Sequence, residues 1–313
     1  MGRPRIFVSI ANYRDPEIVP TLRSLFENAR YPERIVAGVL SQVDTKEDAD
    51  CIPYSDPRIQ QFVVDYRDSP GLSWARNFIF SHLLSSEEFI LQIDSHSRFT
   101  PGWDEIALDN WRLCNDPQAY VSHYPPGYTK ETGNAALIFH QQIFKSFDND
   151  DLPKVITKVL NDPDAPAQLQ RSPLFAGGCY FAPSSAVRTV PYDPLIYFNG
   201  EEITQAVRLY THGFNGFTPK RSFMWHLYRK PVDNYRRMHW EDHAGFTEQQ
   251  KLAKERVQHL LRIKFSSNSV ALKDLNKYEL GDVRSLHDYE RFAGISLRNK
   301  QLSERALQGN FND

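Results

Sequence analysis

The residues of this chain that could do chemistry stand at a few short stations. Asp94-Ser95-His96 follows the apolar run Phe89-Ile90-Leu91-Gln92-Ile93. Residues two apart on an extended segment point the same way, so Asp94 and His96 can share one divalent ion. A carboxylate oxygen and an imidazole nitrogen suit Mn²⁺ or a similar ion whose remaining ligands are outside oxygens, such as phosphates. An Asp-x-His is also an ordinary strand-end pairing, and it is the strand before it and Arg98-Phe99 after it that strengthen the ligand reading. At the second station, Phe198-Asn199-Gly200-Glu201-Glu202, two acids open a predicted helix behind a glycine. Helix N-termini favour acids in any case, so a catalytic role for Glu201 and Glu202 competes with a structural one. His226 ends the short run Phe223-Met224-Trp225 and stands close to the basic pair Arg229-Lys230. Gly71 to Asn77 starts a helix carrying Arg76 and Asn77, which face either an anion or solvent.

The elements that must position these groups follow from periodicity. Ile6 to Ala11, Ile35 to Leu40, Ile59 to Val64 and Phe89 to Ile93 are short apolar runs that predict strands. Helical spacing after Pro16 and from Gly71 to Leu84 separates them. Such alternation predicts a mostly parallel sheet covered on both faces, with ligands at the carboxyl ends of its strands. Asn12 to Asp15, Asp65 and Asp94 to His96 all fall at such ends. Beyond Pro101 the pattern predicts a helix over Trp103 to Leu113 and strands over Ala136 to Phe144 and Leu174 to Phe181. It then predicts a helix from Gly200 to His212, a strand over Phe214 to Thr218, and helices beginning at Thr247 and Leu286.

The chain has 313 residues, of which 41% are hydrophobic and 24% charged, which excludes a disordered polypeptide. Its net charge of -2 argues against a dedicated nucleic-acid binder. From Lys220 onward the chain is basic and before it acidic, which suits a site holding a metal beside an anionic ligand, or simply a solvated helical surface. The apolar runs are too short for a membrane span, and the residues before Ile6 leave no room for a signal peptide. Three scattered cysteines form neither a metal pair nor a disulfide framework, so a reducing, cytoplasmic setting is expected.

Several segments together resemble the GT-A glycosyltransferases, and more narrowly the cytoplasmic polypeptide α-N-acetylglucosaminyltransferases that modify hydroxyproline. They are Ile6 to Pro16, Gln92 to Phe99, His123 to Tyr128, Phe198 to Glu202 and Trp240 to His243. Leu280-Gly281, Arg284 to Leu286 and Tyr289 to Gly294 are similar to the family's tail, so the likeness covers nearly the whole chain. The resemblance implies an α/β, GT-A-like (Rossmann-like) mixed sheet flanked by helices. It also implies a UDP-GlcNAc donor, a divalent metal (Mn²⁺ or Mg²⁺), and retention of the sugar's anomeric configuration. On that basis residues 1–228 form the catalytic domain, and 229–313 a flap and helical C-terminal extension.

Residue by residue, the resemblance makes Asp94 and His96 the metal motif, with Ser95 between them at the donor, and His226 the third ligand. It puts Ala11, Tyr13 and Arg14 beside the uridine, and Asp65, Arg76 and Asn77 around the ribose and diphosphate. Arg229 and Lys230, with Arg236 or Arg237, belong to the flap that closes over UDP. Glu201 corresponds to the carboxylate near the acceptor. The family's wider pattern is Trp-Gly-Gly-Glu-Asn, whereas this chain has Phe-Asn-Gly-Glu-Glu, so Glu202 shares or takes over that role. In inverting relatives the acid at this second position is the base, which leaves the stereochemistry open. The expected acceptor is a hydroxyl, of a protein or glycan in the first place, with a small molecule as the further alternative. A nucleotidyltransferase or phosphohydrolase, or a nucleotide-sugar-binding module without turnover, also fits a metal beside a nucleotide diphosphate.

Overall fold

The computed structural model describes residues 3–129, 133–134, 140–159, 169–228 and 236–311. Four parallel strands come first: β1 (Ile6–Tyr13), β2 (Ile35–Gln42), β3 (Ile59–Val64) and β4 (Phe89–Asp94). Between them lie helices α1 (Ile18–Glu27) and α2 (Leu72–His82). The chain continues through β5 (Ser97–Phe99), α3 (Trp103–Leu113), β6 (Ala119–Ser122), β7 (Tyr128–Thr129) and β8 (Gly133–Asn134). The hairpin β9 (His140–Phe147) and β10 (Pro153–Val159) and the short β11 (Gln170–Arg171) follow. Then come β12 (Cys179–Pro183), α4 (Ser185–Thr189), α5 (Glu201–Thr211), β13 (Asn215–Thr218) and β14 (Met224–His226). Helices α6 (His239–Asp242), α7 (Phe246–Leu260), α8 (Leu286–Ala293) and α9 (Glu304–Gln308) make up the C-terminal extension.

The main sheet has eight strands in the order β11-β13-β6-β12-β4-β1-β2-β3. It is mixed because β12 runs antiparallel to both β4 and β6. Alternation along β1 and β4 divides two cores. Ile6, Val8, Ile10, Phe89, Leu91 and Ile93 face α1 and α3, while Phe7 and Ile90 face α2 and α4. A strand buried on both faces reads as a continuous apolar run, which is why β1 and β4 are legible in the sequence.

Two strand expectations change. The strand expected from Leu174 begins only at Cys179. Side chains take the backbone groups just before it: Ser122 Oγ donates to Ala176 O, and Arg76 and Gln92 donate to Gly177 O. The strand expected from Ala136 runs from His140 to Phe147, and residues 136–139 lie outside the described ones.

A third core joins α5 to the extension through Val207, Val257, Leu261, Leu286 and Tyr289. Beside it Arg256 Nε donates to Asp193 Oδ2 at 2.6 Å, with both side chains fully buried. Arg208 lies close enough to feel Asp193, and burial lowers its pKa to about 10. Asp193→Ala would strand these cations in a dry interior and is expected to cost about 3–5 kcal/mol. Denaturant unfolding monitored by circular dichroism measures it, and a loss under about 1 kcal/mol would contradict this account.

Candidate active site

A cavity of about 600 Å³ opens at the carboxyl edge of the parallel strands. β1 ends on Tyr13 and the turn after it contributes Asp15, while β4 ends on Asp94, followed by Ser95 and His96. Pairing sets the third ligand: β14 runs antiparallel to β5 with His226 opposite Ser97, next to His96. Ligand atoms of Asp94, His96 and His226 all lie within 4.8 Å of one another.

The arrangement around them fits a bound cation. His96 Nδ1 donates to Asp15 Oδ2 at 2.7 Å, which leaves Nε2 as the ligand nitrogen. Ser95 Oγ donates to the same carboxylate at 2.8 Å. Burial would raise the pKa of Asp15, but the bond from His96 and the charge of Arg236 hold it below the usual range. His226 Nε2 donates to Asp94 Oδ2 at 3.0 Å, while its buried Nδ1 has no hydrogen-bond partner among the described residues. Burial also opposes ionisation of Asp94, yet His226 and Arg76 keep its pKa well below normal, so it is a carboxylate at any working pH. His226 itself is pushed down by burial and stays neutral, as a ligand must. The Arg236 guanidinium lies directly against the His96 ring, with Nη1 on Nε2, so it has to move aside before an ion can take that nitrogen.

Helix α5 supplies the other wall. Gly200 precedes it at φ +93°, in the left-handed region, and so aims Glu201 and Glu202 at the cavity. The two acids differ in their partners. Glu201 is buried, and Arg76 donates to its Oε1 at 2.7 Å. The same guanidinium donates to Asp94 Oδ1 at 3.2 Å and to Gly177 O at 3.0 Å, so Arg76 bridges the two walls. The donors to Glu202 among the described residues are neutral: the Tyr124 hydroxyl, and the Gly177 amide at 2.9 Å. It is partly exposed, but to the cavity. Burial and the neighbouring Glu201 carboxylate push its pKa up to about 7.

At the far end, Ala11, Gln42, Gly71 and His239 line the cavity beside Tyr13. Tyr13 packs against His239 with centroids 4.9 Å apart and donates to Asp242 Oδ2 at 3.0 Å. Burial and the adjacent His243 hold His239 down at about 4, so this wall is aromatic and uncharged.

Of the residues expected from the sequence, Ala11, Tyr13, Arg76, Asp94, Ser95, His96, Glu201, Glu202 and His226 line this cavity. Three face elsewhere. Arg14 does not line the cavity; it pairs with Asp48 at 2.8 Å and with Asp242 at 3.3 Å, the carboxylate that also takes the Tyr13 hydroxyl. Asn77 donates to Tyr192 O, and Asp65 caps a turn through the Arg67 amide. Arg229 and Lys230 lie outside the described residues. Asp15 and Tyr124 were missed as site residues. Asp15 had a signal in its place at the end of β1, since a histidine ligand needs a carboxylate to orient it. Tyr124 had only its neighbours in the segment from His123 to Tyr128.

The mixed α/β sheet, with its cavity at the carboxyl edge of the parallel strands, has the GT-A-like fold. A sequence model of the family described as Glycosyltransferase (GlcNAc) matches residues 5–57 and 53–299, and the chain belongs to that family. Among solved structures, GalNAc-T7 with UDP, GalNAc and Mn²⁺ superposes with a TM-score of 0.61 at 14% identity, covering 94% of this chain. The match takes in 58% of the GalNAc-T7 chain. The mannosyltransferase PcManGT from Pyrobaculum calidifontis, with GDP-Man and Mn²⁺, aligns over 70% of this chain and 55% of its own. Its TM-score of 0.43 and identity of 14% make it too distant to carry a conclusion. No curated protein sequence matches the chain. Among the described residues, no helix is long and apolar enough to cross a membrane.

Proposed function

We propose that this glycosyltransferase is metal-dependent and transfers GlcNAc from UDP-GlcNAc to a hydroxyl of a protein or glycan, with retention. The carrying observation is that Asp94, His96 and His226 meet in one cavity with Glu201 and Glu202, although three separate segments supply them. Asp94, His96 and His226 would hold Mn²⁺ or Mg²⁺. When bound, the ion supplies positive charge for the diphosphate leaving group. Asp15 orients His96 and keeps its Nε2 directed to the ligand set. Tyr13 and His239 offer a flat, uncharged wall to the uracil, and Arg236 and Arg237, which also line the cavity, offer cations to the diphosphate. Arg76 neutralises Glu201 and holds it in place. Glu202 is then the carboxylate that can accept a hydrogen bond from the acceptor hydroxyl.

A donor screen tests the reading: purified protein with Mn²⁺ or Mg²⁺ and each common UDP-sugar, with released UDP and product mass as readouts. Preference for UDP-GlcNAc and an acceptor heavier by one N-acetylhexosamine are expected. Release of a sugar phosphate, or turnover unaffected by EDTA, would overturn it.

The state of Glu202 gives a second test. As an acceptor of protons it works ionised, so kcat should fall about tenfold per pH unit below roughly pH 7 and level off above it. A rate that is flat from pH 5 to 8 would remove Glu202 from the reaction. Because no cation among the described residues pairs with Glu202, inversion is the second reading, with Glu202 as general base. The anomeric proton coupling of the product distinguishes the two.

A further inference from the structure

We propose that Tyr124 is a positioning residue for sugar transfer, its hydroxyl and the Gly177 amide together fixing the Glu202 carboxylate toward the acceptor side of the cavity; this rests on the reading of the cavity as the transfer site. Tyr124 donates to Glu202 Oε2 and Gly177 N to Oε1, so each carboxylate oxygen has one protein donor. Each oxygen keeps lone-pair capacity for an outside donor. Burial and the nearby Glu202 raise the pKa of the Tyr124 phenol, so it remains a donor throughout the working pH range. The groups that act on Glu202 are Glu201 on its own helix, Arg76 on α2, Tyr124 and Tyr228. Arg76 is committed to Glu201, Asp94 and Gly177 O, so among the described residues the phenol is the side chain that hydrogen-bonds Glu202.

The loop that carries Tyr124 is itself tied to the metal side. Tyr228 donates to Pro125 O at 2.7 Å, and the His226 amide donates to Pro126 O at 3.0 Å. Gly127 forms a parallel bridge with His226. Residues 124–127 therefore set the distance between the third ligand and the acceptor carboxylate. A phenol anchored this way restricts Glu202 to one rotamer, and a catalytic group needs that restriction to meet its substrate in a reactive geometry.

The test is Tyr124→Phe, followed from pH 5 to 9 for kcat and for the KM of donor and acceptor. Loss of a hydrogen bond to the ionised form should move the acidic limb of kcat upward by roughly half to one pH unit. At pH 7 kcat should fall about tenfold while UDP affinity is unchanged. A second variant with 3-fluorotyrosine at 124 keeps the shape and makes the phenol a better donor, so its limb should move downward. A Tyr124→Phe enzyme with wild-type limb and kcat would overturn the proposal, and so would a fluorotyrosine enzyme whose limb moves upward. Absence of sugar transfer by the wild type would instead overturn the reading of the cavity, and the proposal with it.

Discussion

Asp94→Asn is expected to abolish transfer, lowering the rate by about 10³-fold or more, while the protein stays folded. The amide is isosteric. Its oxygen still accepts from Arg76, and its nitrogen can donate to His226 once that neutral ring presents a lone pair. What disappears is the negative charge, which His226 and Arg76 now hold fully ionised. Arg76 keeps Glu201 as a counter-charge, so the loss in stability should be modest. Calorimetric titration with Mn²⁺ should show affinity lost in Asp94→Asn and in His96→Ala, independently of turnover. Unaltered Mn²⁺ binding in both variants would refute the ligand set.

Glu202→Gln should lower kcat by about 10² to 10³-fold with little change in UDP binding, and the acidic limb of the pH profile should vanish with it. Glu201→Gln makes the informative contrast, because Glu201 balances the buried Arg76 guanidinium at 2.7 Å. Removing that charge is expected to cost about 2 kcal/mol of stability and to lower kcat indirectly, by loosening Arg76. Thermal melts and kinetics on the two variants separate these effects. A stable Glu201→Gln enzyme with the larger loss of kcat would return the acceptor-facing role to Glu201.

How much the sequence disclosed depends on distance along the chain. β1, β4 and α5 were legible because local periodicity and a glycine before paired acids are local signals. Asp94 and His96 were legible for the same reason, since both sit on one extended segment. His226 stands 132 residues from Asp94, and only the likeness to a family supplied it. The bond from His96 to Asp15 and the bridge made by Arg76 depend on side-chain direction, which one-dimensional spacing does not record. Direction also explains the residues that face elsewhere. On α2 the Asn77 side chain turns to Tyr192 O while Arg76 reaches the cavity, a difference that spacing does not record. Arg14 follows the end of β1 at φ +46°, where strand alternation no longer holds, and its guanidinium goes to Asp48 and Asp242. The strand expected from Leu174 failed at a glycine pair whose backbone is claimed by Arg76, Gln92 and Glu202.

The double attachment of Arg76 has a consequence for how such a protein can change over generations. One guanidinium answers to Asp94 on the donor side and to Glu201 on the acceptor side. Gly177 leaves it no slack, since a Cβ there would lie 2.4 Å from Arg76 Nη1. A substitution that shifts either carboxylate therefore alters the setting of the other. Effects on donor choice and acceptor choice should be epistatic rather than additive, with double-mutant cycles between Asp94 and Glu201 showing coupling above about 1 kcal/mol. New acceptors are then most accessible through residues that do not touch Arg76, such as Phe198 and Trp240, which pack edge to face at the cavity with centroids 5.4 Å apart.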